Sequence, residues 1–100
     1  PRVQLPGLSD SRDSHVWHLF VIRSPARDRL AAHLEGKGVQ TSIHYPVPPH
    51  AQPAYRRDMA SVRLPLTEKI HQEVLSLPVS PVMSDAAVEQ VIRCVNSWEG

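Results

Sequence analysis

The sequence predicts an α+β domain, a two-layer sandwich whose small three-stranded mixed sheet carries its helices on one side. Two observations point there. Short β-forming runs alternate with helical periods in the order strand, helix, strand, irregular segment, helix, strand, helix. The 100 residues, 41% hydrophobic and 21% charged, suit one compact unit with a real core.

Residues 1–14 hold proline, glycine and a Ser-Asp repetition without an apolar period, and read as a linker or arm before a domain at 15–100. Residues 16–22 (VWHLFVI) are rich in β-formers and apolar on both faces, as in a covered strand. Ser24 and Pro25 then read as a helix cap and first helical residue, with Ala26, Leu30 and Leu34 at helical spacing. The Gly36-Lys37-Gly38 stretch stops that helix. From Val39 to Tyr45 the pattern alternates. Val39, Thr41, Ile43 and Tyr45 share one face, and Gln40, Ser42 and His44 the other.

Three prolines between His44 and His50 exclude a continuing strand or helix. Residues 51–58 show a weak helical signal. Pro65 opens a stronger helix, with Leu66, Ile70 and Val74 at steps of four. A short strand at 75–79 follows, and Ser84-Asp85 caps a last helix with the stripe Val88, Val91, Ile92, Val95 and Trp98. The expected topology is a split βαβ unit with the third strand antiparallel between the other two.

Several functions are excluded or disfavoured by composition. A net charge of +1 does not favour nucleic acid or an acidic membrane as partner. No apolar run approaches the ~20 residues that span a bilayer. The single cysteine, Cys94, cannot close an intramolecular disulfide, and the expected compartment is the cytoplasm. Cys94 lies beside the last helix's apolar stripe and reads as a buried thiol rather than a nucleophile. Nucleotide-binding glycine loops and nucleophile elbows do not occur.

Six histidines invite a metal reading, but their spacing does not converge and none is expected. His33 and His71 read as solvated helix positions. His44 and His50 differ, because they bracket the rigid proline loop that also carries Tyr45, Gln52 and Tyr55. Imidazole, phenol and amide groups suit a polar ligand such as a sugar or phosphate. The same loop reads equally well as a structural element satisfying its own backbone. Neither Lys37 nor Lys69 sits where a Schiff-base lysine would be desolvated.

The succession H-V-W-H-L-F-V-I-R, G-V-Q-T-S-I-H-Y-P, P-x-H-x-Q-P-x-Y, P-x-x-E and L-S-L-P, at 15–23, 38–46, 48–55, 65–68 and 75–78, resembles one family. It is similar to the C-terminal small domain of the DegT/DnrJ/EryC1/StrS aminotransferases, from about residue 15 to residue 98. The resemblance implies the small domain of the aspartate-aminotransferase fold type. It implies a pyridoxal-phosphate enzyme that takes an amino group, typically from glutamate, to a nucleotide-linked keto-sugar for lipopolysaccharide, O-antigen or other deoxyamino-sugar synthesis. The large domain with the cofactor lysine is expected outside this chain, so the piece alone should bind no cofactor and be inactive. The full enzyme is expected to be a homodimer. By the same resemblance His44, Tyr45, His50 and Gln52 contact the substrate and His18 packs at a strand position, while Leu75 to Pro78 and Trp98 are core by their periodicity. Residues 56–63 depart from the family pattern, which often has glycine there. The competing reading is a free-standing ligand-binding or regulatory α+β domain.

Overall fold

The computed structural model describes residues 2–8 and 10–100. Its elements are β1 (Phe20–Arg23), α1 (Arg27–Glu35), α2 (Pro65–Glu73), β2 (Val74–Leu77) and α3 (Asp85–Asn96), with single 3-10 turns at Arg12–Ser14 and Pro49–Ala51. The sheet has two antiparallel strands rather than three mixed ones. Phe20 faces Leu77, Val21 Ser76, Ile22 Leu75 and Arg23 Val74. The expected second strand at 39–45 shrinks to one bridge, Ser42 to Ser76. That bridge still puts β2 between β1 and the Ser42 segment, the position expected for the last strand.

β1 begins four residues later than its composition suggests, and the reason is local. Trp17 adopts φ 50°, in the left-handed region that breaks an extended run. Its N–H donates to His15 Nδ1 at 2.9 Å instead of a neighbouring strand. On the outer edge of β1, Gln4 and Arg23 exchange both backbone hydrogen bonds, at 2.8 and 2.9 Å. The expected arm thus meets the sheet, and Val3 packs on the core.

α1 starts at Arg27, not Pro25. Ser24 makes a turn ahead of it, accepting the Ala26 N–H on its hydroxyl. The helix stop follows the glycine signal closely. Gly38 takes φ 79°, its N–H reaches the Glu35 carbonyl, and the Val39 N–H reaches Leu34. This left-handed ending brings Val39 against Leu34 in the core, the apolar contact that usually accompanies it.

Directly opposite residues of an antiparallel pair share a face. Phe20, Ile22, Leu75 and Leu77 pack with Leu30 and Leu34 of α1 and with Val91, Cys94, Val95 and the following Trp98 at α3. The α3 stripe is therefore rotated from the expected one, with Cys94 at its centre and Val88 and Ile92 exposed. Ser84 caps α3 as expected, accepting the Ala87 N–H at 3.2 Å. α2 buries no residue fully, and Leu66 is exposed rather than packed. This helix runs into β2 without a loop, and the Arg27 guanidinium donates to the carbonyls of His71 and Val74 at the junction. The weak helix at 51–58 resolves into successive turns.

Candidate functional site

The second sheet face, carrying Val21 and Ser76, leads to the proline loop. Ser42 and Ser76 exchange backbone hydrogen bonds at 2.7 and 3.2 Å, which fixes the chain just before His44. Two residues on, the side chain alternates back to the same face. His44 Nδ1 lies 2.9 Å from the Ser76 hydroxyl, and the imidazole meets the Tyr45 ring edge-on at 5.4 Å. The peptide between them is cis.

Beyond Tyr45 the loop is tied to α2 at two points three residues apart, a spacing that shares one helix face. His71 Nδ1–H donates to the Tyr45 carbonyl, so His71 is a loop anchor and not the solvated residue expected. One turn earlier, His50 Nε2–H donates to Glu68 Oε1 at 2.9 Å, and the same oxygen accepts the Leu64 N–H at 3.2 Å. His50 is 8% exposed, and its Nδ1 is buried without a partner among the described residues. Gln52 donates to the Val47 carbonyl at 3.4 Å, within the loop.

The four sequence-predicted residues thus separate. His44 lines an open groove of about 740 Å³ with His18, Gln40, Thr41, Ser42 and Gln90, whose one charged residue is Glu35. His50 lines a different cavity of about 370 Å³ with Arg56, Arg63 and Glu68. Tyr45 is 62% exposed and lines neither among these two. Gln52 is half-buried against its own loop. His18 is exposed on the first groove, not packed. His33 is also not solvated. Its Nε2–H is shared by the Cys94 carbonyl and Ser97 hydroxyl, both at 3.1 Å, pinning α1 to the end of α3.

Sequence reasoning gave no site role to Glu68, Ser76 or His71, reading Ser76 as core and His71 as solvated. The one available signal was Glu68 four residues after Leu64 at a proline-opened helix start, where a carboxylate can reach back to a free N–H.

Glu68 ionises more readily here than its ordinary 4.5, first because His50 donates to it and then because of the Leu64 N–H. A lowered folded value means the carboxylate stabilises the fold above the unfolded value and loses that contribution as pH falls through the folded one. Glu68→Gln is therefore expected to unfold at lower urea than wild type near neutral pH, with the gap closing in acid as pH falls below the ordinary 4.5 and through the lowered folded value. Urea titrations across that range check it, and a gap that persists in acid would contradict the assignment.

Residues 1–96 match the DegT/DnrJ/EryC1/StrS aminotransferase family. The chain belongs to that family. It is 46% identical over 98 residues to the dTDP-3-amino-3,6-dideoxy-alpha-D-galactopyranose transaminase of Aneurinibacillus thermoaerophilus, covering 98% of this chain and 26% of that protein. Among solved structures it is similar to S. venezuelae DesV in complex with a ketimine intermediate, with TM-score 0.81 and 38% identity over 96% of this chain and 25% of that one. It is also similar to ntda from Bacillus subtilis with bound cofactor PMP, with TM-score 0.82 and 34% identity over 95% of this chain and 22% of that one. The chain thus spans about a quarter of the relatives it matches.

A family of aminotransferases implies pyridoxal phosphate, and the residues present do not fit it. Lys37 is exposed in the turn after α1, where its carbonyl accepts from Gln90. Lys69 is 64% exposed and 3.9 Å from Glu73. Neither is enclosed in a cavity that would hold a cofactor aldehyde. Among the described residues no three His, Cys, Asp or Glu side chains gather as a metal site. No helix among them is long and apolar enough to cross a membrane.

Proposed function

We propose that the chain is the C-terminal small domain of a pyridoxal-phosphate-dependent aminotransferase that moves an amino group from glutamate to a nucleotide-linked keto-sugar. The observation that carries this reading is the 46% identity, across almost the whole chain, to a protein named as a dTDP-amino-sugar transaminase. The cofactor and its lysine belong to a large domain outside these residues, so the isolated chain is inactive. The working enzyme is a cytoplasmic homodimer, and its product is an amino-deoxysugar for lipopolysaccharide, O-antigen or a related conjugate.

In this reading the loop at 44–52 binds and orients substrate. The groove at His44 offers hydroxyl, amide and imidazole groups with no cation, a lining suited to sugar hydroxyls. Arg56 and Arg63 beside His50 suit the negatively charged pyrophosphate. Tyr45 lies exposed against the His44 ring and closes over the sugar. His50 and Gln52 contact the substrate from a loop held by Glu68 and Val47. The exposed Tyr55, Met59, Leu64 and Leu66 that follow the loop support a face completed by the large domain.

The test is an absorbance scan of the enzyme containing this chain. A visible cofactor band that glutamate bleaches and a nucleotide keto-sugar restores is the expected result. Absence of any cofactor band would overturn the reading. The 100-residue chain alone, mixed with pyridoxal phosphate, is expected to show no protein-bound band.

A further inference from the structure

We propose that Ser76, in the middle of β2, is a positioning residue that fixes the tautomer of His44 so that its Nε2–H points a hydrogen-bond donor at the sugar. The inference rests on the substrate-contacting role of His44 proposed above.

Ser76 is a polar residue within the strand Val-Leu-Ser-Leu and is 5% exposed. A buried hydroxyl needs a partner, because losing water without replacement is costly. The backbone of Ser76 is already engaged, its N–H and carbonyl both bonded to Ser42. Its hydroxyl has one partner among the described residues, His44 Nδ1 at 2.9 Å.

The contact is compatible with either group donating, but only donation by the serine uses its one hydrogen, for which the hydroxyl has no other partner among the described residues. Donation to Nδ1 requires that nitrogen to be unprotonated. The neutral imidazole then carries its hydrogen on Nε2. Among the described residues Nε2 of His44 has no hydrogen-bond partner, and the residue lines the groove with Thr41, Ser42 and Gln90. A donor held in one tautomer suits an acceptor oxygen of the substrate. Without Ser76 the imidazole would divide between two tautomers and two ring orientations, and only some would present that donor.

Two measurements test this. Ring-¹⁵N spectra of the chain near neutral pH are expected to show His44 Nδ1 as pyridine-type and Nε2 as pyrrole-type. Ser76→Ala should turn this into a mixed signal, and Ser76→Thr, which keeps the hydroxyl, should restore it. A protonated Nδ1 in wild type overturns the proposal whether or not the variants fold.

In the enzyme, Ser76→Ala is expected to raise KM for the nucleotide keto-sugar about 5-fold while kcat stays within about 2-fold, the scale of one hydrogen bond. Ser76→Thr should stay near wild type. In the background of His44→Gln, whose amide offers a donor without a tautomer to fix, Ser76→Ala should have no further effect on KM. If His44→Ala raises KM and Ser76→Ala does not, the positioning role is wrong and the binding role of His44 stands. If neither raises it, both readings fall.

Discussion

Truncation of Leu75 to alanine is expected to cost about 3 kcal/mol of unfolding free energy. Leu75 is fully buried on β2, opposite Ile22 and in the cluster with Leu30, Leu34 and Cys94. The removed methyl groups leave a cavity that strand pairing on one side and α1 on the other prevent from collapsing. Against a total of about 5–15 kcal/mol for a domain of this kind, that is a large fraction. Urea unfolding of the chain measures it. Leu66→Ala is the comparison, because Leu66 stands 68% exposed on α2 and should change stability by less than about 0.5 kcal/mol. Equal losses for the two variants would mean that the core is not where this packing puts it.

The second large effect is expected at Glu73, where α2 becomes β2. Arg23 of β1 donates through Nε and one terminal nitrogen to a single Glu73 oxygen, at 3.1 and 2.7 Å. The side chains are only 26% and 13% exposed, so solvent screens this pair less than a surface one. Glu73→Ala leaves the guanidinium half-buried without its carboxylate, at a cost of about 2 kcal/mol. The exposed Glu89–Arg93 pair on α3, 3.6 Å apart, supplies the contrast, with at most about 0.5 kcal/mol for Glu89→Ala. Raising salt to about 1 M should erase the small effect and leave most of the larger one. A Glu73→Ala loss no greater than that of Glu89→Ala would remove the pair from the forces holding β1 to α2.

These contrasts show where local patterns sufficed. The Gly38 stop and the Ser84 cap depend on neighbours within a few residues and are found where expected, whereas the alternation read from Val39 to Tyr45 holds only as far as Ile43, since Tyr45 is exposed. The proline loop was legible for the same reason, since three missing or constrained backbone positions exclude regular structure whatever surrounds them. The candidate site was only partly legible. His44 could be placed on a face by counting, but its partner Ser76 is 32 residues away and looked like one more core position in an apolar strand. His33 and His71 looked solvated because their partners, Cys94 with Ser97 and the Tyr45 carbonyl, lie on other elements.

By itself the sequence determined the order of the three helices and of β1 and β2, the stop after α1, the cap of α3 and the family, because turn chemistry, helical period and motif succession are properties of short stretches. Tertiary structure decided the extent of each element and the identity of each contact. β1 shortened where Trp17 turned left-handed, the expected second strand kept one bridge, and α3 left Ile92 exposed while Cys94, read as buried, sits in the core. The physical reason is common to all three. A strand lasts only as long as its partner's backbone is within reach, and a helix buries whichever face best fills the space beneath the sheet. Both conditions are set by residues far away in the chain.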